Sequence, residues 1–305
     1  MTIFEAILLT IVTASTPLLL AALGELVVER AGVLNLGVEG MMVMGAACGF
    51  AGAVTFDSTI AGILCGILAG MVLALVFAIA VLGLAVNQVA AGLALTILGL
   101  GLSGLIGQPF VGAQRDVIAH LSLPVLTDLP VVGRLFFGQD AFVYISLAAT
   151  IAVAWFLARN RAGLSLRAIG ENQGSAHALG LPVIKTRLIA ILFGGAMAGL
   201  AGVYLSLVYT RFWSPGMTAG RGWIAVALVV FAGWRPGILL IGAYLFGAAT
   251  VLQLHAQAAG FGLPSQALAA LPYLATIVAL VLLSLRRKGA TAAPGSLGQP
   301  FAPDR

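Results

Sequence analysis

The chain has 305 residues, of which 61% are hydrophobic and only 8% charged, with a mean hydropathy of +1.11. Soluble domains carry about 25% charge, and 15 basic with 10 acidic residues cannot coat the water-facing surface of a chain this long. The composition excludes a soluble globular protein and predicts an all-α, polytopic helical membrane protein, in which 39 glycines let helices approach closely where hydrophobicity gives no drive to associate. The net charge of +5 does not indicate nucleic-acid binding, because in such a chain the placement of Lys and Arg relative to the spans matters more than their total.

A hydrocarbon core about 30 Å thick needs about 20 helical residues. Apolar runs near that length occupy 6–24, 36–54, 60–84, 89–106, 141–158 and 188–208. A short run at 223–232, a longer one at 237–254 and a last span at 267–285 follow, so about 8–10 transmembrane or half-membrane helices are expected. The first run is read as a retained span, since Glu5 and no Lys or Arg precede it and a secretory signal needs a basic start. The short run is below spanning length. It is either a tilted span extended by 217–222 or a re-entrant half-helix, which is tolerated only where protein or a water-filled cavity covers its ends. Cys48 and Cys65 lie inside apolar runs and read as buried hydrophobes, not as a disulfide.

Basic residues orient the chain. The segment 159–187 carries Arg159, Arg161, Arg167, Lys185 and Arg187 against the single acid Glu171, which predicts a cytoplasmic loop. Arg286, Arg287 and Lys288 follow the last span and put the C-terminus on the same side. The Pro-, Gly- and Ala-rich residues 289–305 are expected to be a disordered tail, leaving 1–288 as one transmembrane domain. The loop 107–140, with Arg115 and Arg134 against Asp116, Asp128 and Asp140, falls on the opposite side. For the chain to return to the cytoplasm, the run 223–232 must cross and Arg235 must be cytoplasmic. The same alternation puts Glu29 and Arg30 inside and the N-terminus outside.

Gly62, Gly66 and Gly70 share one face of the third span, and Gly195 with Gly199, beside Gly194 and Gly202, repeats the pattern in the sixth. This spacing permits close backbone approach, either at an interface that moves or in ordinary packing within the chain. No catalytic constellation is visible: His120, His177 and His255 are scattered, and HExxH, GxSxG and GxxxxGK[ST] are absent. No catalytic residue, metal or cofactor is expected.

Polar residues instead concentrate at membrane depth in three places, 25–39, Asn87 with Gln88, and 215–221. Ionisable groups there are costly and usually face a cavity. One reading makes Asn35 and Glu39 the ends of a broken helix lining a solute path, with Asn87 a further polar candidate. The other makes Glu25, Glu29 and Arg30 an interfacial turn, with Glu39 snorkelling or paired with an arginine. Phe110, Tyr209, Phe212 and Trp213 could stack on a ring or anchor the interface. In the basic loop, 163–180 reads as a short small-residue helix bounded by glycines. Its small side chains would let a partner approach closely, which suits it to docking in another protein's groove.

Three segments carry a family resemblance: ERAGVLNLGVEGMM at 29–42, NQVAAGLALT at 87–96 and LRAIGEN at 166–172. They resemble the permease subunits of bacterial ABC importers for nucleosides and simple sugars, with the permeases of branched-chain amino acids more distant. The resemblance runs over most of 17–285 and includes 194–202 and 232–237. It implies a multi-pass permease of the bacterial inner membrane with a cytoplasmic C-terminus, translocating a nucleoside or simple sugar by alternating access. It also implies a second permease chain, identical or not, two cytoplasmic ATPase subunits and an extracytoplasmic solute-binding protein. ATP hydrolysis would then belong to a separate chain, in keeping with the missing phosphate-binding motif. By position, 171–180 matches the family's ATPase-coupling loop, which makes Arg167, Glu171, Ala176, His177 and Gly180 its candidate residues. The chain departs from the family pattern at Gln173-Gly174, where Pro often follows the Glu-Asn pair, and at His177, where a small residue is usual. An ion-coupled secondary carrier with Glu39 titrating across the membrane is the alternative, and the coupling-like loop favours the importer.

Overall fold

The computed structural model describes residues 3–116, 135, 137–258, 270, 274, 277, 278, 281 and 293–302. Their helices are α1 (Ile3–Arg30), α2 (Val38–Thr55), α3 (Thr59–Ala78), α4 (Gln88–Gly107), α5 (Ala141–Arg159), α6 (Arg161–Glu171), α7 (Gln173–Ala178), α8 (Val183–Val203), α9 (Arg221–Ala232) and α10 (Pro236–Ala258). π-helical segments extend α3 over Ile79–Gly83 and α8 over Tyr204–Tyr209. Among the described residues there is no strand, only an isolated bridge between Gln114 and Phe212. Seven stretches are long and apolar enough to cross a membrane among these residues, and the chain is a polytopic helical membrane protein. Of the expected last span, 267–285, only 270, 274, 277, 278 and 281 are described. His120, Asp128, Arg134, Arg286, Arg287 and Lys288 lie outside the described residues.

The helices start where a side chain can take an orphan backbone donor. Ser58, Asn87, Asp140, Asn160 and Asn172 accept from N–H groups in the first turns of α3, α4, α5, α6 and α7. Within α1 the hydroxyls of Thr10, Ser15 and Thr16 donate back to the carbonyls of Ala6, Ile11 and Val12, which removes the cost of carrying them in an apolar helix. The Asp140 cap also ties two spans together, since its Oδ2 accepts from the Tyr204 hydroxyl at 3.2 Å.

The core lies between α1, α2, α8 and the inner face of α3, where Leu19, Leu23, Met41, Met42, Phe50 and Phe77 are buried. Large apolar side chains cover the outside: Ile60, Leu64, Leu68 and Val72 recur every fourth residue along α3, with Ile97 on α4, Ile151 and Trp155 on α5, and Ile241 and Leu245 on α10. That inversion of a soluble surface suits lipid as solvent. The glycine series forms the seam of the core. A Cβ at Gly62 would stand 2.6 Å from the Gly49 carbonyl oxygen, one at Gly66 2.7 Å from that of Gly45, and one at Gly195 2.6 Å from that of Gly70. Gly199 abuts the Gly66 carbonyl in the same way. Backbone therefore touches backbone across α2, α3 and α8 of one chain. Cys48 and Cys65 are free thiols.

Charge distinguishes the two ends of the bundle. At one end Arg30, Arg167, Trp234 and Arg235 line a common cleft beside α6, so Arg235 lies at the same end as the basic 159–187 segment. At the other, Arg115 Nη1 meets Asp57 Oδ1 at 2.6 Å, and the Arg115 N–H donates to the Arg211 carbonyl. The short run 223–232 becomes α9, whose 12 residues extend only about 18 Å. It starts inside the bundle beside α2 and ends at the α6 end. The stretch from Phe212, bridged to Gln114 at the far end, to Gly220 leads into it without forming a helix. Residues 293–302 lie against α6 and α7, where the Ser296 N–H donates to the Gly170 carbonyl at 2.8 Å. Small residues on both sides let backbone meet backbone there, an interaction that hydropathy does not register.

Candidate functional site: a polar knot beside two external helices

The motif at 29–42 breaks the helical path. Gly32, at φ +84°, turns the chain out of α1, and α2 begins only after Gly37. Such a break frees backbone donors and acceptors that lipid cannot satisfy. Distant side chains satisfy them here. Gln88 Oε1 accepts from the Leu34 N–H at 2.7 Å, Glu25 Oε1 from the Asn35 N–H at 3.1 Å, and Asn35 Oδ1 from the Gly37 N–H at 2.9 Å. The Thr96 hydroxyl donates to the Leu36 carbonyl at 3.0 Å. Arg187, fully buried, donates through Nε to the Ala31 carbonyl at 3.0 Å and through Nη2 to that of Gly32 at 3.4 Å.

Two groups of bonds close the knot onto α9. At its C-terminal end the Trp234 indole donates to Glu29 Oε2 at 2.6 Å, while Arg30 donates through Nε and Nη2 to the Trp234 carbonyl. At its N-terminal end Glu39 Oε1 accepts from the Thr218 hydroxyl at 2.6 Å and the Gly220 N–H at 2.8 Å, and Oε2 from the Gly222 N–H at 2.6 Å. A carboxylate here complements both the orphan N–H groups and the positive end of the α9 dipole. Gly222 is required for the approach, because a Cβ would stand 2.5 Å from Glu39 Cα.

Asn35 and Glu39 thus flank a helix break and bond to groups of the same chain. The partners of Glu39 are a hydroxyl and backbone N–H groups, not an arginine. Asn87 is exposed and caps α4 through a bond from the Ala90 N–H; its buried neighbour Gln88 is the residue that enters the knot. Sequence reasoning missed Arg187, Thr218, Gly222 and Trp234 as members. Their only signal was polar or glycine residues beside apolar runs.

On the outside of this knot sit α6 and α7. Helix α6 buries Gly163, Leu166, Ile169 and Gly170 and exposes the opposite face. Its Gly170 lies directly against the Arg30 carbonyl. Asn172 Oδ1 accepts from the Ser175 N–H at 2.9 Å, which caps the start of α7 at Gln173-Gly174. Arg167, Glu171, His177 and Gly180 are exposed, Gly180 with φ +80° and open space around it. Ala176 is different: it is buried with Ile169 and Val183 and holds the two helices together. Leu179 at the tip is 81% exposed.

A cavity of about 230 Å³ opens elsewhere, between α1, α9, α10 and the π segment after α8, and its lining includes Pro17, Tyr209, Arg221, Thr250 and Gln253. The Arg221 guanidinium lies 5.9 Å from the centre of the Tyr209 ring. Of the other aromatics considered from sequence, Phe212 is exposed, Trp213 is buried and Phe110 packs against the core.

Comparison with known proteins agrees with this architecture. The family model described as the branched-chain amino acid transport system / permease component matches residues 7–285. The putative glucose ABC transporter permease protein TsgC13 of Haloferax volcanii is 42% identical over 95% of each chain. The guanosine ABC transporter permease protein NupQ of Bacillus subtilis is 31% identical over 94% of this chain and 93% of its own. The nucleoside ABC transporter permease protein NupC of Lactococcus lactis is 30% identical over 88% and 89%. A broken-helix bundle with two external helices, matched along nearly its whole length to such proteins, belongs to the branched-chain amino acid transport system / permease component family and is a membrane-spanning permease subunit of an ABC transporter.

Proposed function

We propose that this permease imports a simple sugar or a nucleoside, driven by ATP that a separate subunit hydrolyses. In this reading α6 and α7 face the cytoplasm and receive the ATPase, through Arg167, Glu171, His177 and Gly180. The observation that carries it is the exposed α6–α7 hairpin, whose apolar tip Leu179 stands free of the core while its buried face rests on the helix break. Arg30, Arg159, Arg161, Arg167, Lys185 and Arg235 gather at or beside that end, which supports a cytoplasmic assignment. A second permease chain, identical or not, completes the solute path, and an extracytoplasmic binding protein delivers the solute to the other end.

The cavity beside Tyr209 and Arg221 is the proposed solute contact. An aromatic face with Arg, Thr and Gln donors suits a hydroxylated ring, which ribose and hexoses share. In this reading Glu39 acts through α9, whose start it holds, and Asn35 through the helix break, where it accepts from the Gly37 N–H.

Purification in mild detergent, with partners identified by mass spectrometry, tests the assembly. Uptake of labelled glucose, guanosine and leucine by cells with and without the chain tests the solute. Recovery of an ATPase carrying a GxxxxGK[ST] peptide, with uptake of glucose or guanosine lost on deletion, is expected. Recovery of the chain alone after crosslinking, with uptake abolished by collapsing the proton gradient, would overturn the reading in favour of a carrier.

A further inference from the structure

Residues 293–302 lie where the ATPase would dock. The Ser296 N–H donates to the Gly170 carbonyl at 2.8 Å, and its hydroxyl accepts from the Gln173 N–H at 3.0 Å. The Gln173 amide donates to the Pro300 carbonyl at 3.1 Å. The Phe301 ring stands edge-on to His177, with centroids 5.4 Å apart. Gly298, at φ +75°, makes the turn that sends the segment back along α7. Between them, α7 and this segment enclose a polar groove of about 600 Å³, with Glu171, Gly174 and His177 on one wall and Gln299, Pro300 and Ala302 on the other.

The same segment reaches the knot. Gln88 Nε2 donates to the Gln299 carbonyl at 3.3 Å, while Gln88 Oε1 holds the Leu34 N–H of the helix break. A Cβ on Gly32 would come within 3.3 Å of Ser296 Cβ. Ser296 is 3% exposed, so the segment is seated, not laid loosely on the surface.

We propose that residues 294–302 are the second wall of the ATPase-docking groove, and that they tie this groove to the helix break through Gln88 and Ser296. The proposal rests on the reading of α6 and α7 as the coupling segment. Its occupant is the ABC ATPase, because the groove is continuous with the exposed face of α7, and a protein gripping Glu171 and His177 must also touch Gln299 and Ala302. Docking energy then passes into the break by two routes, α6 on Arg30 and the C-terminal segment on Gln88.

The test is photocrosslinking in the assembled transporter, with p-benzoylphenylalanine replacing either Ala302 or His177 in otherwise complete chains. Both side chains are exposed, so neither replacement disturbs the core. Both are expected to form an adduct with the ATPase subunit, identified by its GxxxxGK[ST] peptide. An adduct from position 177 with only intrachain products from 302 would overturn the proposal and leave the coupling reading intact. No ATPase adduct from either would overturn both. In parallel, a chain ending at Ala293 is expected to stay monodisperse and to lose recovered ATPase by about ten-fold, the effect of roughly one strong interface contact. Equal recovery, or greater recovery as from removal of a plug, would count against the second wall.

Discussion

Glu39 provides the sharpest test of how the helix break is held. Replacing it by Ala removes the acceptor of two backbone N–H groups, those of Gly220 and Gly222, and of the Thr218 hydroxyl. The hydroxyl can rotate to another acceptor and the Gly220 amide is only half-buried, but the Gly222 amide is fixed by the start of α9 and buried with Glu39, which is 4% exposed. Leaving a buried donor unsatisfied costs about 1–3 kcal/mol, so Glu39→Ala should cost about that much through the Gly222 amide alone. Glu39→Gln keeps one oxygen but turns an amide towards one of those N–H groups, and should cost about half as much. Thermal unfolding of the purified chain in detergent, followed by loss of the monodisperse peak, would read the order parent, Gln, Ala. Solute-stimulated ATP hydrolysis in the assembled transporter should fall in the same order, because α9 begins at this carboxylate. If both variants unfold with the parent, Glu39 does not hold α9. If Glu39→Gln unfolds normally but loses a proton-driven flux, the carrier mechanism is the correct one.

Other substitutions separate the remaining contacts. Gly70→Ala drives a Cβ into the Gly195 carbonyl and to 2.9 Å from Gly199 Cα, and should lose about 1–3 kcal/mol by overpacking. Gly101→Ala has nothing within 4 Å and should match or exceed the parent by up to about 1 kcal/mol from helix propensity; equal unfolding temperatures for the two would refute the seam. Arg187→Met leaves the Ala31 and Gly32 carbonyls without these donors and should cost about 2–6 kcal/mol, read as earlier thermal unfolding. Leu179→Ser, at an exposed tip, should leave unfolding unchanged while lowering recovery of the ATPase, and unchanged recovery would remove Leu179 from the interface.

The spans were legible because lipid imposes one rule on every helix, and hydropathy measures that rule directly. The site of the break was legible too, since Gly32, Asn35 and Glu39 interrupt an apolar stretch. What holds the break was not. Gln88 lies 54 positions from Leu34, Arg187 lies 156 from Ala31, and Gly222 lies 183 from Glu39, so no local pattern pairs them. Arg187 is instructive: counted by sequence among the loop cations, it is buried and bonded to backbone carbonyls. A charge count gives the end of the bundle where a side chain sits, not what it binds. Ala176 reads as a small contact residue in sequence, whereas the α6–α7 packing places it inside. The packing of 293–302 on α6 and α7 uses backbone and small polar groups, which composition does not register.

The contact between Gly170 and Arg30 joins these two parts of the molecule. Gly170 lies directly against the Arg30 carbonyl, and a Cβ there would also stand 3.2 Å from the Gly32 N. The residues it touches are the last turn of α1, where Arg30 donates to the Trp234 carbonyl beyond α9, and the glycine that turns the chain, whose carbonyl accepts from Arg187 of α8. A displacement of α6 therefore cannot be absorbed in a loop. On the proposed coupling it is expected to move the break and, through the Glu39 bonds, the start of α9. Packed elements of this kind shift between discrete arrangements instead of deforming smoothly. Gly170→Ala tests the connection, because it lifts α6 from the break without altering the exposed face of α6 or α7. ATPase recovery should persist while stimulation of hydrolysis by solute falls several-fold, an uncoupling of the two ends. Retained stimulation with normal recovery would mean that the signal travels around this contact, leaving the C-terminal segment and Gln88 as the remaining route.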